Sequence, residues 1–253
     1  MSVRGGTKVN RNAIWCDLAD RLIAALKPIG APIGIAFVPQ GAASDAPQFD
    51  AKYPAPNESG RTGAVPAGCV FWMKAVDRMF STIAADHANC SVGSYTHGFI
   101  TLDEAAPRDD VVAALESGWV NEAAMSSLPH VLDRPAQVVY GPLGKFETDP
   151  DVVLLRVNAL ALMTLKDAFP KLRIEGKPQC HIIAIARENR EIAASVGCAL
   201  SRARTGMRSE ELTCALPGSR LAEIIPAIEA AADLDRSMAS YAGTDTQRFS
   251  AKS

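Results

Sequence analysis

The sequence predicts a mixed α/β fold of the α+β kind, built as one large domain, and three observations carry that expectation. Apolar residues recur at helical spacing near both ends of the chain. Short branched runs bounded by proline or glycine, 33-IGIAFV-38, 136-AQVVYGPL-143, 152-VVLLRV-157 and 211-ELTCALP-217, read as strands. The 253 residues are 48% hydrophobic, enough to bury a core without disulfide staples.

Taken in order, a helix is expected from about Asn12 to Lys27, with Ile14, Trp15, Leu18, Leu22, Ile23 and Leu26 on one stripe, stopped by Pro28 and Gly30. The strand 33–38 follows. Residues 40–67 are rich in Pro, Gly, Ala and Ser without periodicity, the pattern of a long surface loop able to lie over a site. From Cys69 the run 70-VFWMKAV-76 is helix-like, and 79-MFSTIA-84 is either its continuation or a strand. Helices are expected over 110–117 and 119–127, then the strand 136–143. The strand 152–157 leads into a helix, 158-NALALMTLKDAF-169, capped by Asn158. Strand 211–217 precedes a final helix over 219–234, bent at Pro226, and the small polar residues from Ala242 onward read as a disordered tail. The domain is placed at 12–240, with tails at 1–11 and 241–253.

A formal net charge of -2 without a Lys/Arg cluster argues against nucleic acid or an anionic membrane surface as partner. The N-terminus has no apolar stretch of a signal peptide, and no run is long enough to span a bilayer, so a cytoplasmic address is expected. Six cysteines kept reduced there read as metal ligands, redox groups or core residues rather than disulfides. There is no Walker motif, G-x-G-x-x-G, H-E-x-x-H or G-x-S-x-G, which removes nucleotide and zinc-peptidase readings.

Two segments share an outline. Cys69 is followed by an apolar stretch, Cys90 twenty-one positions on and Gly98 eight after that; Cys180 is followed by an apolar stretch, Cys198 eighteen positions on and Gly206 eight after that. Each follows a branched strand. If two halves, about 12–145 and 146–240, are related by a pseudo-two-fold axis, the four cysteines approach one another there. Four buried thiolates call for a positive partner, whereas four buried thiols are ordinary small core residues.

The strings 68-GCVFW-72, 86-DHANCSVGSYTHG-98, 176-GKPQC-180, 197-GCALSRARTG-206 and 210-EELTCALPGSR-220 resemble the family called domain of unknown function 169, or ArCR, over about Leu18 to Ala232. The family pattern has cysteines matching Cys69, Cys90, Cys180 and Cys198 and none matching Cys16 or Cys214, which leaves those two as packing residues. The resemblance brings no reaction with it. Many relatives carry Cys-Pro where this chain has Cys90-Ser91, and Gly-Asn-Arg or Gly-Ser-Arg where it has Leu200-Ser201-Arg202; losing the proline loosens a turn but removes no ligand.

All-sulfur ligation suits zinc or an iron–sulfur cluster, and widely separated single cysteines in a core-rich chain favour a [4Fe-4S] cluster over zinc in C-x2-C knuckles. Four ligands imply an iron–sulfur protein with a redox role and a redox partner. Three would leave an open iron acting as lyase or hydrolase on a small anionic or carbonyl-bearing substrate, with His87 or Tyr95 as proton donor and Arg202 holding the substrate. A metal-free small-molecule binding domain is the third reading, and homo-oligomerisation stays open. His97 reads as a turn cap, His130 and His181 as solvent or core residues, and Glu210 or Glu211 as a partner for Arg202 or Arg204.

Overall fold

The computed structural model describes residues 10–50, 58 and 68–250. Helix α1 (Arg11–Leu26) starts on the side chain of Asn10, which accepts from the Ala13 amide, and stops at Lys27 in the left-handed region (φ 48°), one residue before Pro28. Strand β1 (Ile33–Pro39), helix α2 (Gly68–Lys74) and strand β2 (Phe80–Thr82) follow. Within the ambiguous stretch 79–84, Phe80–Thr82 form a strand because they find a pairing partner in β3 (Pro135–Pro142), and Ala84 already belongs to the next turn. Between β2 and β3 lie a 3-10 turn at Ala84–His87 and short helices α3 (Ser91–Thr96), α4 (Leu102–Ala105), α5 (Asp109–Glu116) and α6 (Glu122–Ser126). The helix expected from Trp119 begins only at Glu122, where Asn121 caps it.

The second part runs β4 (Val152–Val157), α7 (Ala159–Ala168, capped by Asn158), β5 (Arg173–Glu175), α8 (His181–Ala184, continued by a wider π turn over Ile185–Asn189), β6 (Ala193–Ser195), α9 (Ala199–Thr205), β7 (Leu212–Pro217) and α10 (Leu221–Ser250). Strands β5 and β6 have only three residues each, too short for a period-2 pattern, and were not legible in the sequence. The tail expected to be disordered from Ala242 is helical to Ser250. Its small side chains show no periodicity, but the packed start of α10 has already met the cost of helix nucleation, so each further residue adds a hydrogen bond. The loop expected over 40–67 falls largely outside the described residues; its described part ends with Phe49 packed edge-on against Phe71 at 5.0 Å.

The strands form one seven-stranded sheet in the order β2-β3-β1-β4-β7-β6-β5, antiparallel throughout except for β5 and β6. Read outward from the central pair β1 and β4, the order is β1-β3-β2 on one side and β4-β7-β6 on the other. Pairing is in matching register: Phe80 to Tyr140 and Thr82 to Val138 on the first side, Ala193 to Ala215 and Ser195 to Thr213 on the second.

Both faces of the sheet are covered, which is why the strand sequences are apolar throughout rather than alternating. Val153, Leu155 and Val157 of β4 point to α1, α7 and α10, where Leu22, Leu165 and Ile225 complete one core. Val152 and Leu154 point to the other side, against Phe71, Trp72 and the buried run Ile182–Ala186. All four cysteines of the repeat lie on this second side. Cys214 is fully buried on the first.

Candidate functional site

Each of the four cysteines opens a helix. Cys69 is the second residue of α2, and Cys90, Cys180 and Cys198 are the cap residues of α3, α8 and α9. Packing of α2 against α9 and of α3 against α8 brings the four starts together. All four cysteines line one cavity, together with Gln179, Ser201 and Arg204. First-turn amides have no partner inside their own helix, and the Gly93 amide uses this freedom to donate to Cys90 Sγ at 3.4 Å. At the fourth corner Gly197, at φ +105°, turns the chain into Cys198, a conformation that L side chains rarely adopt.

Ser201, Thr96 and Arg204 lie close to Cys69, Cys180 and Cys90 respectively, and each holds its thiol's pKa down against the effect of burial; the Thr96 hydroxyl donates to the Gly93 carbonyl at 3.0 Å and Arg204 Nη2 to the Asn89 carbonyl at 3.1 Å. Gln179 Nε2 donates in turn to Ser201 Oγ at 2.5 Å, and its Oε1 is buried without a hydrogen-bond partner. Burial pushes the Cys69 thiol up to about 11, and it raises Cys90 and Cys180 as well, with the neighbouring cysteines adding to the shift at Cys69 and Cys180. The three are neutral thiols at neutral pH, and ionising them together requires a positive centre among them. Among the described residues, no set of three or more His, Cys, Asp or Glu side chains is gathered tightly enough to hold a single metal ion.

The other residues singled out in the sequence have varied placements. His87 is fully buried in the sheet-side wall, with Nε2 3.0 Å from Thr82 Oγ1, and burial lowers its pKa. His97 caps the end of α3, its Nδ1 bonding the Gly93 carbonyl at 2.9 Å. Tyr95 lines a different cavity, with Ile100 and His130, where its hydroxyl meets His130 Nδ1 at 3.0 Å and the two rings stack 4.7 Å apart. Arg202 turns away from the cysteines and spends its guanidinium on the backbone carbonyls of Val196 (2.9 Å), Glu211 (2.8 Å) and Arg208, so it pins the segment that carries Cys198.

Glu211 pairs with Arg156 at 2.7 Å and with Arg208, and Glu210 with Arg208; neither carboxylate pairs with Arg202 or Arg204, because β7 places Glu211 beside its neighbour strand β4. Among the described cysteines none forms a disulfide, and the Cys16 thiol meets only local oxygen atoms, the Gly144 carbonyl at 3.1 Å among them.

Arg204 is the cation at the cavity, and Ser201 and Gln179 are its polar groups. A helical reading of 197-GCALSRARTG-206 would have found the first two: Ser201 and Arg204 are three residues apart on one face, and Arg202 is on another.

The family model of DUF169, described as uncharacterised ArCR, matches residues 21–227, most of the chain and every residue at the cavity. The chain belongs to the DUF169 family. No curated protein and no solved structure matches it. In this DUF169 chain the matched region ends in α10 at residue 227, so the later part of that helix lies beyond the family core.

Proposed function

We propose that Cys69, Cys90, Cys180 and Cys198 hold a [4Fe-4S] cluster and that this DUF169 protein passes electrons to a redox partner in the cytoplasm. One observation carries the reading: four cysteines far apart in the chain line a single cavity. A cluster places its own core between four thiolates, whereas one zinc ion draws its sulfurs to within about 2.3 Å of a common centre. Four cysteines that line one cavity without any three being drawn to a common point favour the former. When bound, the cluster supplies one-electron oxidation and reduction. The protein's part is to offset the thiolate charge through Arg204 and to donate to the sulfurs through the Gly93 amide and the nearby Ser201 hydroxyl.

The matching strand order on the two sides of β1 and β4 supports the reading of two related halves meeting at the cluster. An open-iron enzyme has less behind it, since Tyr95 lines another cavity and Arg202 is engaged with carbonyls. Six unpaired cysteines suit a reducing compartment. Among the described residues, no helix is long and apolar enough to cross a membrane.

The test is iron and sulfide analysis of protein purified without oxygen, together with its spectrum. About four of each per chain are expected, with broad absorption that bleaches on reduction. Colourless protein that also fails to take up iron and sulfide on reconstitution would sink the reading. Because the thiols must lose protons to bind, reconstitution is expected to improve as the pH is raised towards their elevated values.

A second prediction concerns Tyr140. Its hydroxyl is fully buried and unpartnered, and it lies near enough to Cys69 and Cys180 for their charge to add to the rise in its pKa that burial causes. An unused donor beside the sulfurs favours the more negative, reduced state. Tyr140→Phe is expected to lower the reduction potential at unchanged iron content. An unchanged potential would place the hydroxyl out of the sulfurs' reach.

A further inference from the structure

Helices α7 and α10 pack against each other on the face of the sheet away from the cysteine cavity. Strands β4 and β7 are antiparallel neighbours, and each leads into a helix that folds back over the sheet, so α7 and α10 also run antiparallel. The Thr164 hydroxyl donates to Asp235 Oδ2 at 2.5 Å, which fixes their register. Met163 precedes Thr164 by one residue, and Leu234 precedes Asp235 by one. In antiparallel helices that shared step of about 100° turns both side chains to the same side of the contact. This side faces solvent, because the opposite side carries Ala161, Leu165, Ile225 and Ile228 into the core. Leu160 lies one turn before Thr164, and Met238 and Tyr241 lie one and two turns past Leu234, so the row continues along both helices.

All five residues are large and apolar, yet Leu160 is 64% exposed, Met163 46%, Leu234 70%, Met238 64% and Tyr241 65%. Together they leave roughly 600 Å² of accessible surface in one row, at the top of what a soluble monomer exposes. A second copy supplies the same apolar area opposite, and the total of about 1,200 Å² reaches the size at which specific complexes hold.

The shape of the two helices selects that copy as the occupant. By the register at Thr164, the start of α7 at Ala159 lies level with Ser240, and α10 runs on to Ser250, ~15 Å further. From Asp233 to Thr244 every residue except Asp235 is exposed. An overhang next to a step of matching length is self-complementary about a two-fold axis. The overhang of each copy then lies beside α7 of the other, with Tyr241 of one on Met163 of the other. Asp245 stands on the same face as the row, and antiparallel pairing about Met238 keeps the two copies of it ~20 Å apart.

We propose that this row is a homodimer interface, two copies pairing about a two-fold axis at Met238 with their α10 helices antiparallel. The contact lies across the sheet from the cysteine cavity, so it leaves that cavity free for a redox partner and does not depend on the cluster.

The experiment is sedimentation equilibrium on the full-length protein over roughly 1 to 100 µM. A mass twice the 26.8 kDa of the chain is expected at the upper end. Met238→Glu and, on the other helix, Met163→Glu should each weaken association by at least about a hundredfold, because the new carboxylate would be buried against its own copy. Both positions are exposed in the single chain, so circular dichroism should show each variant folded as before. Leu132→Glu is the control: this residue is 71% exposed at the Tyr95 cavity, and association should not change. A monomer throughout the range would overturn the proposal. So would a dimer that both glutamate variants leave intact, or one that Leu132→Glu breaks equally. A monomer that floats with phosphatidylcholine vesicles and loses this in Met238→Glu would also overturn it, by making the occupant a lipid surface.

Discussion

Serine in place of any one of Cys69, Cys90, Cys180 or Cys198 is expected to leave a protein that folds but retains little iron. All four line the same cavity, and a hydroxyl binds iron of this kind far less well than a thiolate. The matched controls are Cys16→Ala and Cys214→Ala. Cys214 is fully buried in β7 but faces α1, α7 and α10 across the sheet from the cavity, so its loss should cost ~1 kcal/mol of packing and no iron. Cys16 sits on α1, with its thiol on the Gly144 carbonyl. Iron content per chain, measured together with thermal unfolding, separates the two effects. Full iron in a Cys90 or Cys198 variant would remove that residue from the ligand set. Loss of iron in Cys214→Ala would mean that the cluster lies on the other face of the sheet.

Gly218→Ala is expected to be the most damaging single-methyl change in the scaffold. Gly218 follows β7, and its amide donates to the Asp151 carbonyl at 2.8 Å, so the two chain segments touch backbone to backbone. A Cβ there would stand 1.9 Å from the Pro150 carbonyl oxygen and 2.9 Å from its carbon. No rotamer change relieves a clash between backbones, so the ends of β4 and β7, paired through Val152 and Pro217, must part. Overpacking of this kind costs about 3 kcal/mol or more, which for a chain of this size lowers Tm by roughly 6–12 °C. Gly176→Ala is the control: nothing lies within 4 Å of its added methyl, and a change below about 0.5 kcal/mol is expected. Equal melting temperatures for the two variants would show that the strand ends are looser than the structure has them.

The sheet matters to the site because it sets which helix starts can meet. Arg156 of β4 and Glu211 beside β7 are both largely buried and paired at 2.7 Å, while Arg202 bonds the Glu211 carbonyl from α9. That chain of contacts runs from the centre of the sheet to the helix capped by Cys198. None of it shows as a pattern in the sequence, where Arg202 reads as a substrate cation. Spacing locates a guanidinium along the chain, but only the fold decides whether carbonyls or a cavity lie at its end.

The sequence by itself determined the longer elements and the choice of cysteines. Apolar periodicity marks α1, α7 and the start of α10, branched runs mark β1, β3, β4 and β7, and the repeated outline with the family-like strings separates Cys69, Cys90, Cys180 and Cys198 from Cys16 and Cys214. These are local signals: burial of one face repeats along a helix or strand and so is written in consecutive residues. Only the tertiary structure decided that β5 and β6 are strands, that Arg204 rather than Arg202 reaches the cavity, that Tyr95 belongs to another cavity, and that the buried rings of His87 and His97 lie together beside Gly68. Each of these depends on which distant segment lies across the sheet or opposite the ring. Hydrogen-bond partners and burial come from that neighbour, and no short stretch of sequence specifies it.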